Sequence, residues 1–234
     1  MFLFLKLLLA HLIADFILQF DELYQLKVKS YLGHLFHVLI HLSISLLLAL
    51  PYLRDPKIFA AICALSTLHY FQDNLKYHFQ ARHEKSIFFC FTIDQIIHFL
   101  FLTAIFLFPL SKERLAFPFS PFNSFYQSDL TTWLLIIWIL TTFGGAYLLH
   151  ALRRSFVPQS REDHFITSLE MSQGIFERTG ITEVFLFLGL WPAVGLAFIF
   201  GVPRLFSKKL RNLPDFALSF IYAACIGLLF RKIL

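Results

Sequence analysis

The sequence predicts an all-α, polytopic transmembrane helix bundle with about six or seven spanning helices. Three observations carry that expectation. Of the 234 residues, 58% are hydrophobic, and Phe alone occurs 31 times. Only 15% are charged, against roughly 25% in soluble domains, and the mean hydropathy is +0.69. Apolar stretches of spanning length also recur along the whole chain. A chain so poor in polar residues cannot coat a water-soluble globule, so the lipid bilayer is its expected solvent.

The expected spans are Met1–Phe20, Gly33–Tyr52, Ile58–Tyr77, Ile87–Leu110, Leu130–Leu152, Ile181–Val202 and the short Phe216–Phe230. Met1–Phe20 lacks a basic leader and carries His11 and Asp15, so it reads as a retained helix rather than a signal peptide. Pro51, Pro56, Pro109, Pro203 and Pro214 fall at segment ends, as residues without a backbone N–H should. Polar connections are expected at Asp21–Leu32, Leu53–Lys57 and His78–Ser86. Ser111–Asp129, rich in Phe, Pro and Ser, is expected along the membrane interface, and Arg153–Gly180 as a long polar loop with an amphipathic surface helix. The chain thus divides into a four-helix transmembrane unit, 1–110, and a C-terminal group of helices, 111–234, interrupted by the loop at 153–180. Gly144-Gly145 reads as a close helix contact.

The net charge is +5 and the isoelectric point near 9.2. The basic residues form short clusters between apolar runs, such as Arg153-Arg154 and Lys208-Lys209-x-Arg211. That pattern faces anionic headgroups and argues against nucleic acid as a partner. Cys63, Cys90 and Cys225 lie singly in apolar runs and read as packing residues. Alternating crossings put more Lys and Arg on the side opposite the N-terminus, which the positive-inside rule makes cytoplasmic.

The chemistry is concentrated near the N-terminus. His11 and Asp15, His37 and His41, His69 and Asp73, and Asp94 and His98 each stand four residues apart, so each pair shares a helix face. Counted at 1.5 Å per residue from the side opposite the N-terminus, all of them fall roughly 6–16 Å into the membrane. Alternating topology therefore lifts polar groups from separate helices to one level. A mid-helix carboxylate costs about 2.5–3.5 kcal/mol on insertion scales, so Asp15, Asp73 and Asp94 call for partners. A divalent metal ion is the expected cofactor, with His11, Asp15, His37, His41, His69, Asp73, Asp94 and His98 as candidate ligands or their supporting partners. Asp15, Asp73 and Asp94 are also the candidate catalytic bases toward a metal-bound water. Lys76, Gln19, Gln72, Asn74 and Gln95 lie near the same level, where they could orient a phosphate or carbonyl oxygen. The bland alternative is a set of His–Asp clamps that only fix helix register. His78 and His83 read as solvated, while His150 and His164 stand apart from the cluster. No nucleophile elbow, phosphate loop, dinucleotide fingerprint or haem-attachment motif occurs.

The run Ala10-His11-Leu12-Ile13-Ala14-Asp15-Phe16-Ile17-Leu18-Gln19, with His37-x-x-x-His41, His69-x-x-x-Asp73-x-x-Lys76 and Asp94-Gln95-x-x-His98, resembles a bacterial membrane family catalogued as domain of unknown function 3307. The resemblance covers roughly residues 1–105 and implies a multi-pass protein of the bacterial inner membrane, without implying an activity. Glu177-Arg178, Trp191, Gly195 and Arg204 fit the family's C-terminal half loosely, whereas Pro192 and Val202-Pro203 depart from it. A looser likeness is to bacterial membrane proteins described as metal-dependent hydrolases. Three readings follow: a metal-dependent hydrolase or transferase acting on an amphiphilic substrate such as a phospholipid or lipid-linked phosphate, a transporter of divalent cations or protons, and a structural or assembly protein.

Overall fold

The computed structural model of the chain describes residues 1–82, 87–156, 168–202 and 213–233, which are helical with no strand among them. The helices are α1 (Phe2–Leu12), α2 (Asp21–Lys29), α3 (Tyr31–Leu48), α4 (Pro56–Arg82), α5 (Ile87–Thr103), α6 (Ser120–Gln127), α7 (Asp129–Ile139), α8 (Gly145–Phe156), α9 (Ser168–Leu188), α10 (Leu190–Ala197) and α11 (Leu213–Phe230). Wide π-helical turns follow α1 at Ile13–Ile17 and α7 at Leu140–Gly144. Among the described residues, three helical stretches are long and apolar enough to cross a membrane: Tyr31–Leu48, Ile87–Leu107 and Asp129–Phe156. The chain forms two compact units, residues 1–136 and 137–234.

In the first unit, local chemistry sets the helix ends. Ser30 caps α3, its hydroxyl accepting from the Gly33 N–H at 3.2 Å. Asp55 accepts from the Lys57 N–H at 2.8 Å ahead of Pro56, the first residue of α4. Ser128 accepts from the Thr131 N–H at 3.1 Å and starts α7. α1 is the innermost helix, with Phe2, Leu3, Leu5, Leu7 and Ala10 buried, and it packs against α3 and α5. α4 lies against α3 on one side and α5 on the other, and α2 folds onto α3.

Residues 111–136, which composition assigns to the C-terminal group, belong by contact to the first unit. Buried polar anchors explain why. The Tyr52 hydroxyl donates to the Glu113 carbonyl, the Tyr126 hydroxyl donates to the Leu48 carbonyl at 2.7 Å, and Lys6 donates to Thr132 at 2.6 Å. Burial raises the proton affinity of the Tyr126 phenol, which keeps it a donor.

Two expected connections are helical. Asp21–Leu32 contains α2, and α4 runs on through His78 to Arg82, because nothing in Leu75–Arg82 breaks a helix. His78 is exposed, as expected, while His83 and His164 lie outside the described residues.

The first unit buries a polar cluster beside its apolar core and exposes large apolar side chains. Lys6, His11, Asp15, Lys27, His37, Asp73 and Asp94 are buried, while Phe36, Phe71, Leu75, Ile93, Ile96 and Leu100 are exposed. Such an apolar surface, with three helical stretches of spanning length, suggests association with a membrane.

In the second unit, α9 and α11 pack around Ile181, Phe185 and Ala223. Gly227 allows the close approach: a methyl group there would meet the Thr182 carbonyl oxygen at 2.7 Å. Gly145, expected as a packing glycine, lies against Tyr222 and Arg178. The segment expected to span as Ile181–Val202 is instead divided at Gly189, whose φ of 81° ends α9. Within the expected loop 153–180, Arg153–Phe156 ends α8 and Ser168–Gly180 lies within α9, and residues 157–167 lie outside the described residues. Arg178 is buried there, and its Nε and Nη2 donate to the Thr141 and Thr142 carbonyls at 2.8 and 2.9 Å. Those oxygens belong to the π-helical turn.

Candidate functional site

The His and Asp side chains singled out from the sequence meet inside the first unit. The π-helical turn at Ile13–Ile17 carries Asp15. α3 supplies His37 and His41, α4 supplies His69 and Asp73, α5 supplies Asp94 and His98, and α1 supplies His11. All are between 0 and 8% exposed.

The tightest grouping surrounds Asp15. Its Oδ1 lies 2.7 Å from His41 Nε2, 3.1 Å from His37 Nε2 and 3.8 Å from His69 Nε2. His37 Nε2 and His69 Nε2 are 3.2 Å apart. One carboxylate oxygen and three imidazole nitrogens thus lie within 4.8 Å of one another. A tetrahedral zinc ion, with bonds of about 2.0–2.1 Å to nitrogen and oxygen, would hold its ligands roughly 3.3–3.4 Å apart, so these separations match that scale. Two further groups with the same spread adjoin it: His11 with His69 and His98, and Asp73 with Asp94 and His98.

Neighbours hold the carboxylates in place. Asp15 Oδ2 accepts from Gln95 Nε2 at 3.1 Å and lies 3.5 Å from His11 Nε2. Asp73 Oδ2 pairs with Lys27 Nζ at 2.7 Å and lies 3.6 Å from His37 Nε2, while Asp73 Oδ1 lies 3.4 Å from Lys76 Nζ. Lys76 Nζ also pairs with Asp94 Oδ2 at 2.7 Å. Lys27 donates to Gln19 at 2.7 Å. Burial lowers the proton affinity of the Lys27 ammonium, and the Asp73 carboxylate acts in the opposite direction.

Beside the imidazoles lies a cavity of about 30 Å³ lined by His11, His41, His69, His98, Ser45 and Ser66 among apolar side chains. That volume admits one or two waters. The ring nitrogens His11 Nε2 and His98 Nδ1 and Nε2 are buried without a hydrogen-bond partner. Leaving such groups unsatisfied costs about 1–3 kcal/mol each, so the cavity wall favours a polar occupant.

Lys27 escaped the sequence reading, which left it among the charges of a loop. The available signal is helical spacing, since Lys27 stands four residues after Leu23, and both are buried. His34, one turn before His37, joins none of the ligand-sized groups and packs edge-on to Tyr77 at 5.1 Å between ring centres. Lys6 also lies apart, over the rings of Phe2 and Tyr126.

A family model described as "Protein of unknown function (DUF3307)" matches residues 3–126, more than half of the chain. The chain belongs to that family. The DUF3307 match extends beyond the 1–105 expected from motifs and takes in α6, whose Tyr126 anchors it to α3. Every residue of the His/Asp cluster lies within the DUF3307 segment, as do Lys27, Lys76 and Gln95, whereas Glu177-Arg178 lies beyond it. No curated protein and no solved structure matches the chain.

Proposed function

We propose that this protein is a membrane-embedded, metal-dependent hydrolase or transferase acting on an amphiphilic, lipid-type substrate. A divalent cation would be held by Asp15, His37, His41 and His69. The observation that carries the reading is the convergence of one carboxylate oxygen and three imidazole nitrogens at ligand spacing in a buried interior. Charge supports it. Asp15, Asp73 and Asp94 outnumber Lys27 and Lys76 by one, so with neutral imidazoles the cluster has an excess negative charge that a cation would offset. The orphaned nitrogens of His11 and His98 would face a water in the cavity beside the metal, whose acidity the cation would raise. Asp73, beside His37 and His69, and Asp94, which adjoins it and His98, are the candidate proton acceptors outside the four ligands.

In this reading the chain crosses the bacterial inner membrane about six or seven times. The exposed Phe, Leu and Ile of α3, α4 and α5 meet acyl chains, and the polar cluster lies beneath one leaflet. Transport of a divalent cation or protons is the second reading, for which the serine-lined cavity beyond the histidines is the supporting feature.

The test is elemental analysis of the protein purified in detergent, wild type against an Asp15→Asn/Asp73→Asn variant whose fold is checked by circular dichroism and gel filtration. About one divalent ion per chain in the wild type and none in the folded variant supports a metal centre. No metal in either leaves only His–Asp clamps and overturns the proposal. Proteoliposome flux of the bound metal then separates the enzyme from the transporter: sustained flux abolished by Asp15→Asn rejects the enzyme reading.

A further inference from the structure

We propose that Lys27 and Lys76 form a subsite for a phosphate group of the substrate, carrying a single negative charge as in a phosphodiester. This assignment rests on the metal-dependent reading above and names its substrate class.

The two ammonium groups clasp opposite oxygens of one carboxylate. Lys27 Nζ is 2.7 Å from Asp73 Oδ2, and Lys76 Nζ, which bridges to Asp94 Oδ2 at 2.7 Å, is 3.4 Å from Asp73 Oδ1, so a phosphate engaged by both lysines would take over contacts that these carboxylates now make. A phosphodiester presents the same feature, two equivalent oxygens sharing one negative charge, and ammonium groups bind it as point charges. Both lysines also lie over the ring of Tyr77, at 5.6 and 5.3 Å, which holds them on one side of the cluster. Asp73 Oδ2 is 3.6 Å from His37 Nε2, so a group engaged by both lysines would lie beside the candidate metal ligands.

Net charge points the same way. The three carboxylates and two lysines sum to one negative charge, which a divalent cation converts to one positive. In a buried interior that excess is costly, and a singly charged anion removes it. A dianion would restore an imbalance, which favours a diester over a free monoester.

Exposure indicates the approach. The side chain of Lys76 is 15% exposed and that of Lys27 only 1%. Beside Lys76, the residues Phe71, Leu75 and Phe79 form an exposed apolar stripe along α4 at four-residue spacing. An acyl chain lying on that stripe would bring a phosphate at its polar end to Lys76.

The experiment uses the full chain in neutral detergent with added Zn²⁺, titrated calorimetrically with dihexanoylphosphatidylglycerol, inorganic phosphate or uncharged dioctanoylglycerol. Zinc content is measured on every sample. Wild type should bind the phosphatidylglycerol, and Lys76→Gln should bind it about tenfold or more weakly while keeping its zinc. Lys76→Arg should retain most of the affinity. Lys27→Gln should behave like Lys76→Gln; if this buried substitution prevents folding, the partly exposed Lys76 carries the test. Weaker binding of inorganic phosphate assigns the phosphate to a lipid headgroup, and equal binding assigns it to a free anion, with the subsite standing in both cases. Unchanged affinity in zinc-loaded Lys76→Gln overturns the subsite and leaves the metal centre intact, as does equal binding of dioctanoylglycerol. No zinc in any sample, with binding still lost in Lys76→Gln, removes the metal reading and keeps the subsite.

Discussion

Gly33 is where α2 comes closest to α3, and replacing it with Ala tests whether that contact holds Lys27 in the site. A methyl group at position 33 would lie 2.3 Å from the Leu26 carbonyl carbon, 2.4 Å from its oxygen and 2.4 Å from the Lys27 backbone nitrogen. Comfortable contact between carbon atoms is about 3.5–4.0 Å, so α2 must retreat by more than about 1 Å. The clashing atoms are backbone, and no side-chain rotation relieves them. Overpacking of this kind costs about 1–3 kcal/mol, and a backbone clash belongs at the upper end. A loss of about 3 kcal/mol corresponds to a drop of roughly 6–12 °C in melting temperature for a chain of this size. The assay is thermal unfolding in detergent followed by intrinsic fluorescence, with Gly195→Ala as control, since nothing lies within 4 Å of a methyl group there. The retreat would also draw Lys27 from Asp73, so phosphatidylglycerol binding should weaken in the protein that remains folded. A melting temperature for Gly33→Ala within about 1 °C of the Gly195→Ala control, with lipid binding intact, would refute this account of the α2–α3 contact.

Other substitutions separate the roles of neighbouring groups. Gln95→Leu removes the donor to Asp15 Oδ2 and should weaken metal binding by about 10–100-fold without abolishing it, as read by competition with a fluorescent chelator. His34→Phe should leave metal content unchanged by elemental analysis, because His34 packs on Tyr77 and belongs to no ligand group. Arg178→Met removes the guanidinium donors to the Thr141 and Thr142 carbonyls, and at about 1–3 kcal/mol for a buried group left unpaired it should lower the yield of folded protein in gel filtration. Tyr126→Phe deletes the hydrogen bond to the Leu48 carbonyl and should cost about 0.5–1.5 kcal/mol, or more where the carbonyl stays unsatisfied, visible as a lower melting temperature with metal content preserved.

The pairing of the His and Asp side chains on shared helix faces was legible in the sequence, whereas the convergence of those faces on one another was not and comes from the packing. Four-residue spacing fixes which side chains share a helix face. Which carboxylate sits among the imidazoles was not legible: Asp15, Asp73 and Asp94 look alike in sequence, and only the packing gives Asp15 its neighbours His11, His37, His41 and His69. Lys27 was hidden because a charged, nine-residue helix reads as a connection until its Leu23 face is seen against α3. In the C-terminal half, Glu177 and Arg178 drew the boundary of α9 too late. Charges near a helix middle look like loop residues, whereas here both are buried and the guanidinium bonds to the π-helical turn. The break at Gly189 depends on a positive φ, which apolar composition does not disclose.

The widened turn at Ile13–Ile17 has a genetic corollary. Such a turn holds one residue more than the ordinary helical repeat, so deleting Ala14 would let α1 close into regular geometry. Residues beyond the turn would keep their bearing, because the lost residue is the one the wide turn accommodates, while Asp15, inside the turn, would be re-aimed relative to the imidazoles. A lost codon at this point would therefore be more damaging to the site than most missense changes, while leaving the segment as hydrophobic as before.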